Sequence, residues 1–252
     1  MNDMTKKPRP NWMQLSLAVS GGLIVGALVV AAWQGARPGA DRKATEAIVR
    51  EYILAHPEIL PEAMAVLQSR ETKKQVDANR AALETPFAGA WAGAKDGDVV
   101  LVEFFDYACG YCKASLPHIE RLLAEDKKLK VVFRELPILS PQSEVAARAS
   151  LAAAQQGKFE AFHSAMYEAG RPSPEAIAAV QGKTGLDPRK AADAMESAAV
   201  RREIESNVNL ARSLGATGTP TWVVGDRILN GAVGYDALKQ AIAAARNGTA
   251  AD

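Results

Sequence analysis

Two cysteines and three histidines are all that the 252 residues offer to a disulfide framework or a metal centre. Cys109 and Cys112 lie three positions apart, too close to staple separate loops, so a structural disulfide network is excluded and the pair is a local redox or metal unit. A structural zinc site usually takes about four ligands. No second C-x-x-C exists, and His56, His118 and His163 are scattered, with only His118 near the pair, so no metal is assigned. An excess of one charge is also missing: 30 basic against 29 acidic side chains leave a net charge of +1, which gives nucleic acid little to bind. Nor does any segment repeat, so a solenoid is excluded.

One long stretch does lack charge. After Lys6, Lys7 and Arg9, no charged residue occurs until Arg37, and Trp12 to Trp33 is apolar and long enough to span a bilayer as a helix. Basic residues ahead of it place the N-terminus in the cytoplasm and everything beyond Arg37 outside it, where disulfides persist. A signal peptide shares the basic start and apolar middle, but this segment is long, tryptophans bracket it, and Gln34 stands where cleavage after Ala36 would want a small residue. The reading is an uncleaved anchor over 12–33 behind a basic tail, residues 1–11.

Residues 34–85 follow as a linker and helical region. Ile48, Val49, Tyr52 and Ile53 recur at helical spacing before His56-Pro57 breaks the pattern, and Pro61 suits the first turn of a second helix whose Leu60, Met64 and Leu67 share a face. Two short helices bury little surface alone. The segment is therefore either a spacer or a self-association region over 44–80, and the pattern leaves both open.

A second domain, residues 86–252, opens on Val99 to Phe105, an almost unbroken apolar run that predicts a central strand buried on both faces. Cys109-Gly110-Tyr111-Cys112 comes next, then a helical pattern through Leu116, Ile119, Leu122 and Leu123 containing Pro117, then a strand over Lys130 to Phe133. Strand, motif, helix, strand is a βαβ unit with parallel strands. From about 142 to 214 only helix signals occur, with Ser173-Pro174 and Asp187-Pro188 as starts. Gly225-Asp226 then turns a hairpin between Thr221–Val224 and Arg227–Leu229, and a helix over Tyr235–Arg246 closes the fold.

A thiolate, not a thiol, attacks a disulfide, and a helix N-terminus lowers a thiol's pKa. A helix starting at Cys109 would favour that thiolate and place Cys112 one turn in, so Cys109 is expected to attack and Cys112 to resolve. Glu103 is a carboxylate inside the buried strand, expensive unless neutral or paired. It is expected to take the proton of Cys112, the alternatives being a solvent-facing position or a pair with Arg134. Thr219-Pro220 stands at a strand start, where a proline costs no ladder bond.

These residues together resemble a known family. Val102-Glu103-Phe104-Phe105 before Cys109-Gly110-Tyr111-Cys112, Phe133-Arg134-Glu135-Leu136-Pro137, and Gly218-Thr219-Pro220-Thr221 look like the DsbA-like branch of the thioredoxin superfamily, over roughly 90–246. The resemblance implies a thioredoxin fold with a helical insertion, an attacking Cys109, a cis Pro220 beside it, Thr219 and Tyr111 against the substrate, and Glu103 as the buried acid. It implies no cofactor. Gly110-Tyr111 and Thr219 resemble the isomerase DsbC rather than the oxidase DsbA, whose histidine between the cysteines makes a stronger oxidant. Residues 44–67 resemble the N-terminal region of the suppressor-of-copper-sensitivity (ScsC-like) proteins. That likeness implies a homotrimer, cysteine-bearing exported substrates, a membrane thiol reductase as electron donor, and a periplasmic catalytic domain held at the inner membrane. Disulfide oxidation in the manner of DsbA and Cu(I) binding in copper tolerance are the alternative functions.

Overall fold

The computed structural model describes residues 39–248; the expected anchor over 12–33 and its basic tail lie outside the described residues. Among the described residues no helix is long and apolar enough to cross a membrane. Two compact units divide after Met64.

In the first unit, α1 (Gly39–Ala55) ends before His56-Pro57, and α2 (Ile59–Glu84) begins two residues ahead of the proline expected to start it. Ile48, Tyr52, Leu60 and Met64 are exposed. The helical spacing expected of these residues is therefore real, and their apolar side chains are uncovered within one chain.

The second unit holds the rest of α2 and a five-stranded sheet in the order β1-β3-β2-β4-β5, built from β1 (Trp91–Gly93), β2 (Val99–Phe105), β3 (Leu129–Glu135), β4 (Thr221–Val224) and β5 (Arg227–Asn230). β2 and β3 are parallel, as the βαβ reading requires, and the other pairs are antiparallel. Strand β1 was not expected from the sequence: three residues ending in glycine carry no periodicity to read. Gly225-Asp226 turns the β4–β5 hairpin as expected.

Alternation along the strands sorts the core into two layers. Leu101, Phe105, Val131 and Phe133 pack with α3 (Gly110–Glu125), α5 (Phe159–Ala169) and the closing helix α9 (Gly234–Asn247). Val102, Phe104 and Val132 pack on the opposite face with Val76 and Leu83 of α2 and with Leu210 and Ala211 of α8 (Ala198–Ser213). Both faces of β2 are covered, which is why it reads as an unbroken apolar run. The charged stretch 70–80 thus belongs to a helix whose Val76 side is buried and whose other side is solvated.

Between β3 and β4 the chain is helical throughout: α4 (Pro141–Gln155), α5, α6 (Pro174–Lys183), α7 (Pro188–Met195) and α8. Ser140, Ser173 and Asp187 each accept a backbone N–H from the first turn, with proline at the first helical position. These starts are fixed locally, as their sequences indicate.

The same alternation separates Glu103 from Arg134. Glu103 pairs in register with Phe133 and Arg134 with Phe104, so the two side chains leave opposite faces of the sheet. The pairing considered as an alternative does not occur. Arg134 instead donates to Glu203 at 2.8 Å and to the carbonyls of Ala82, Leu83 and Thr85, so a guanidinium from β3 caps the end of α2.

Candidate redox site

Cys109 is the N-cap of α3, and its sulfur accepts the backbone N–H of Cys112 at 3.2 Å. The cap position is what puts the sulfur at the unpaired donors and positive end of the helix. Cys109 is 5% exposed and Cys112 is fully covered, so only the first sulfur has an approach from outside. Both thiols are free.

Across the motif stands the loop entering β4. The Thr219-Pro220 bond is cis, and the Cys109 thiol donates to the Thr219 carbonyl at 3.2 Å. Thr219 Oγ1 is buried with no hydrogen-bond partner among the described residues, which leaves its proton available once Cys109 is ionised. The hydrogen bond with Cys112 is the main cause that lowers the Cys109 pKa, with the Thr219 side chain and the backbone N–H groups of Cys112 and Tyr111 adding to it. Burial opposes them, and the balance falls at about 6. The same bond, together with burial and Glu103, pushes the Cys112 thiol up. One sulfur is thereby charged near neutral pH while the other keeps its proton.

Tyr111 is 70% exposed and projects from the motif, while Pro220 is buried behind it. The structure thus brings Cys109, Cys112, Thr219, Pro220 and Glu103 to one end of the sheet, with Tyr111 at the rim.

Glu103 is 1% exposed, and its Oε2 has no hydrogen-bond partner among the described residues. Burial holds its carboxyl well above the usual range, and the Cys109 sulfur adds to the rise. A solvent-facing position, the other alternative, is therefore also wrong. A second acid accompanies it: Glu135 is 1% exposed, lies diagonally from Glu103 on the same face, and is likewise raised by burial. Glu135 was missed because the expected strand stopped at Phe133, two residues short; extended, it carries an acid in an apolar strand just as β2 does.

A buried polar chain runs beside the acids. Tyr107 Oη donates to Ser150 Oγ at 2.9 Å and lies 3.1 Å from His163 Nδ1. Burial lowers the His163 pKa to about 3, so the imidazole is neutral; it stacks on Phe159 and meets the rings of Phe133 and Tyr107 at an angle. It has no metal-binding neighbours: among the described residues no group of three or more His, Cys, Asp or Glu side chains converges.

Asp106, also unanticipated, fixes the loop ahead of Cys109. One carboxylate oxygen accepts from Ala108 N at 2.7 Å, and the other from Ile138 N and Leu139 N at 2.9 Å each. The first of these is an Asx turn, which an aspartate two residues ahead of the bend could have signalled. Asp106→Asn replaces an acceptor-only oxygen pair by one oxygen and one NH2 facing backbone donors. The expected cost is roughly 1–2 kcal/mol, seen as a fall in Tm of about 2–4 °C per kcal/mol by calorimetry.

Comparison with known proteins agrees with this geometry. The family model described as a DSBA-like thioredoxin domain matches residues 100–243, and that of the copper resistance protein ScsC N-terminal domain matches residues 41–74. A thioredoxin-like oxidoreductase from Silicibacter pomeroyi is 39% identical with a TM-score of 0.64, covering 67% of this chain and 98% of that one. The catalytic domain of Proteus mirabilis ScsC is 29% identical with a TM-score of 0.63, covering 69% and 98%. Among curated proteins, the Na(+)/H(+) antiporter NhaA 1 of Salinispora arenicola is 29% identical over 160 residues, 62% of this chain and 24% of the antiporter. The chain therefore spans about a quarter of the length of the first curated relatives it matches, at 24–25% of each.

Proposed function

Because the chain belongs to the DSBA-like thioredoxin family and is a thiol-disulfide oxidoreductase of the DsbA and ScsC type, we propose that it reshuffles or reduces disulfides in exported proteins. The observation that carries this reading is the state of Cys109: an N-cap sulfur held near pKa 6 by Cys112, Thr219 and backbone donors, with Gly110-Tyr111 and no histidine between the cysteines. Strong oxidants of this kind hold their thiolate at roughly 3.5 and thioredoxin at about 7, so this pair lies toward the milder end. A less stabilised thiolate is a less oxidising couple.

In the proposed cycle the Cys109 thiolate attacks a substrate disulfide, forming a mixed disulfide and releasing one substrate thiolate. A substrate thiol then displaces Cys109, which completes isomerisation, or Cys112 attacks Cys109 and releases the substrate thiolate, its proton passing to the ionised form of Glu103, which completes reduction. Thr219, Pro220 and Tyr111 border the position where the substrate chain would lie. A membrane thiol reductase returns the pair to its reduced form, and the segment 12–33 holds the catalytic domain in the periplasm. The exposed side chains of Ile48, Tyr52, Leu60, Met64 and Leu67 would be buried between three copies, so that several Cys109 sites face one substrate.

Reduced protein comprising residues 38–252 is expected to reactivate a scrambled disulfide protein and to run as a trimer by light scattering. Rapid oxidation of reduced substrates by a monomer, without reactivation, would instead make it an oxidase. A second reading, Cu(I) binding by the two sulfurs, is favoured by the match of residues 41–74 to a copper-resistance domain and by the softness of paired thiolates. Anaerobic copper titration decides it, since absence of thiol-dependent binding at micromolar metal removes the idea.

A further inference from the structure

Beside the Cys109 sulfur lies an open cavity of about 300 Å³. Tyr107, Tyr167, Cys109, Gly110, Lys113 and Arg171 are among the residues that line it. Lys113 follows Cys109 by four residues and so shares its side of α3, while Arg171 comes from the turn after α5. No acid lines the cavity. Neither cation makes an ion pair among the described residues. The carboxylate nearest to Arg171 along the chain, Glu168, pairs with Lys183 at 2.9 Å and also feels the charge of Lys113. Some cations of this unit are engaged in pairs, as Arg121 and Lys239 are with Glu125. Two cations outside any ion pair and the positive end of α3 thus border the cavity that Cys109 lines.

We propose that this cavity is a subsite for a carboxylate carried close to the sulfur of the substrate, so that the protein selects negatively charged thiols and disulfides over neutral or cationic ones. The inference rests on the reading of Cys109 as the attacking sulfur and adds the chemical class of what it attacks. Arg171 supplies a planar fork that pairs with a carboxylate through two parallel hydrogen bonds, and Lys113 supplies a compact charge beside the reacting atoms. The volume suits a few side chains or a tripeptide and would exclude a folded domain. Exchange proceeds by ordinary steps: the Cys109 thiolate forms a bond to one substrate sulfur as the substrate S–S bond breaks and a thiolate leaves. Cys112 then gives up its proton and attacks Cys109, releasing the second thiolate, and two electrons pass from the dithiol to the substrate. The leaving thiolates are anions too, and the same cations stabilise them as they form.

Three small disulfides separate charge from reactivity: glutathione disulfide is anionic, hydroxyethyl disulfide neutral and cystamine cationic. Oxidation of the reduced protein by each is followed by thiol loss and divided by the rate of the same disulfide with dithiothreitol. At low salt the normalised rate is expected to be about tenfold higher for glutathione disulfide than for cystamine, since each cation contributes a modest Coulomb attraction across water. The ratio should collapse toward one at 1 M salt, where screening acts over about 3 Å, and in the double variant Lys113→Ala, Arg171→Ala. In Lys113→Glu, Arg171→Glu it should invert. A ratio near one in the native protein, or one that survives in the double variants, overturns the subsite while leaving Cys109 reactive. No reaction with any of the three overturns the parent reading as well. Peptide disulfides flanked by Asp or by Lys, run in the same way, distinguish a protein chain from a small thiol as the source of the carboxylate.

Discussion

Alkylation of the reduced protein by iodoacetamide is expected to rise through a single titration centred near pH 6, against about 8.5 for a free thiol, and to vanish in Cys109→Ser. Only one equivalent should react across neutral pH, because Cys112 is covered and its thiol is pushed up. The main support for the Cys109 thiolate comes from Cys112, so Cys112→Ala should move the midpoint upward, whereas Cys112→Ser, which keeps a donor, should move it less. Exchange activity in Cys109→Ser is expected to fall to the uncatalysed level, with Cys112→Ser accumulating mixed disulfides with substrate. The folded-state pKa lies below the unfolded value, so ionisation stabilises the reduced fold above the unfolded pKa, and that contribution is lost as pH falls through about 6. The disulfide form has no such dependence. The oxidised pair should therefore be the stronger oxidant at pH 8 than at pH 5, relative to a couple with unshifted thiols. A midpoint near that of free cysteine would remove the basis for a thiol exchange role.

What could be read from the sequence and what could not divide along physical lines. The run Val99 to Phe105 announced a central strand because both its faces are covered, and helix starts such as Ser173-Pro174 were legible because a cap is decided within four residues. Cys109 at the start of a helix was legible for the same reason: strand, motif and helix are contiguous. Strand β1 was not, since it exists only through its antiparallel pairing with β3. The fate of Arg134 was equally hidden. It is decided by the parity of two strands and by the arrival of α2 and α8 on one face, none of which is local. Glu103 was recognisable as an anomaly, but the buried company it keeps, Glu135 with Tyr107, Ser150 and His163, is drawn from the loop after β2 and from β3, α4 and α5. Periodicity finds the layers of a core; it does not find which polar groups share one.

Glu103→Gln is expected to move activity and stability in opposite directions. Glutamine keeps the shape of the carboxyl group and removes its capacity to take a proton, and proton transfer by a positioned side chain typically contributes 10²–10⁴-fold. Resolution of the mixed disulfide by Cys112 should therefore slow by roughly 100-fold, measured as the rate of substrate release from a trapped Cys109 adduct. Attack by Cys109 itself should change little, because the causes that lower its pKa are the neighbouring thiol, Thr219 and backbone donors rather than the acid. Stability answers to burial. Glu103 has a folded-state pKa raised well above its ordinary value, so the folded state binds a proton that the unfolded state releases. The resulting penalty is absent below the ordinary carboxylate pKa of 4.5 and grows as pH rises toward the folded value. Glutamine carries no such penalty, so the variant should unfold at a higher temperature than the native protein at pH 7 and at nearly the same temperature at pH 4. A variant both slower and less stable at pH 7 would mean that Glu103 acts as a packing element; one slower yet more stable means that the fold tolerates an acid in its core for the sake of the proton transfer at Cys112.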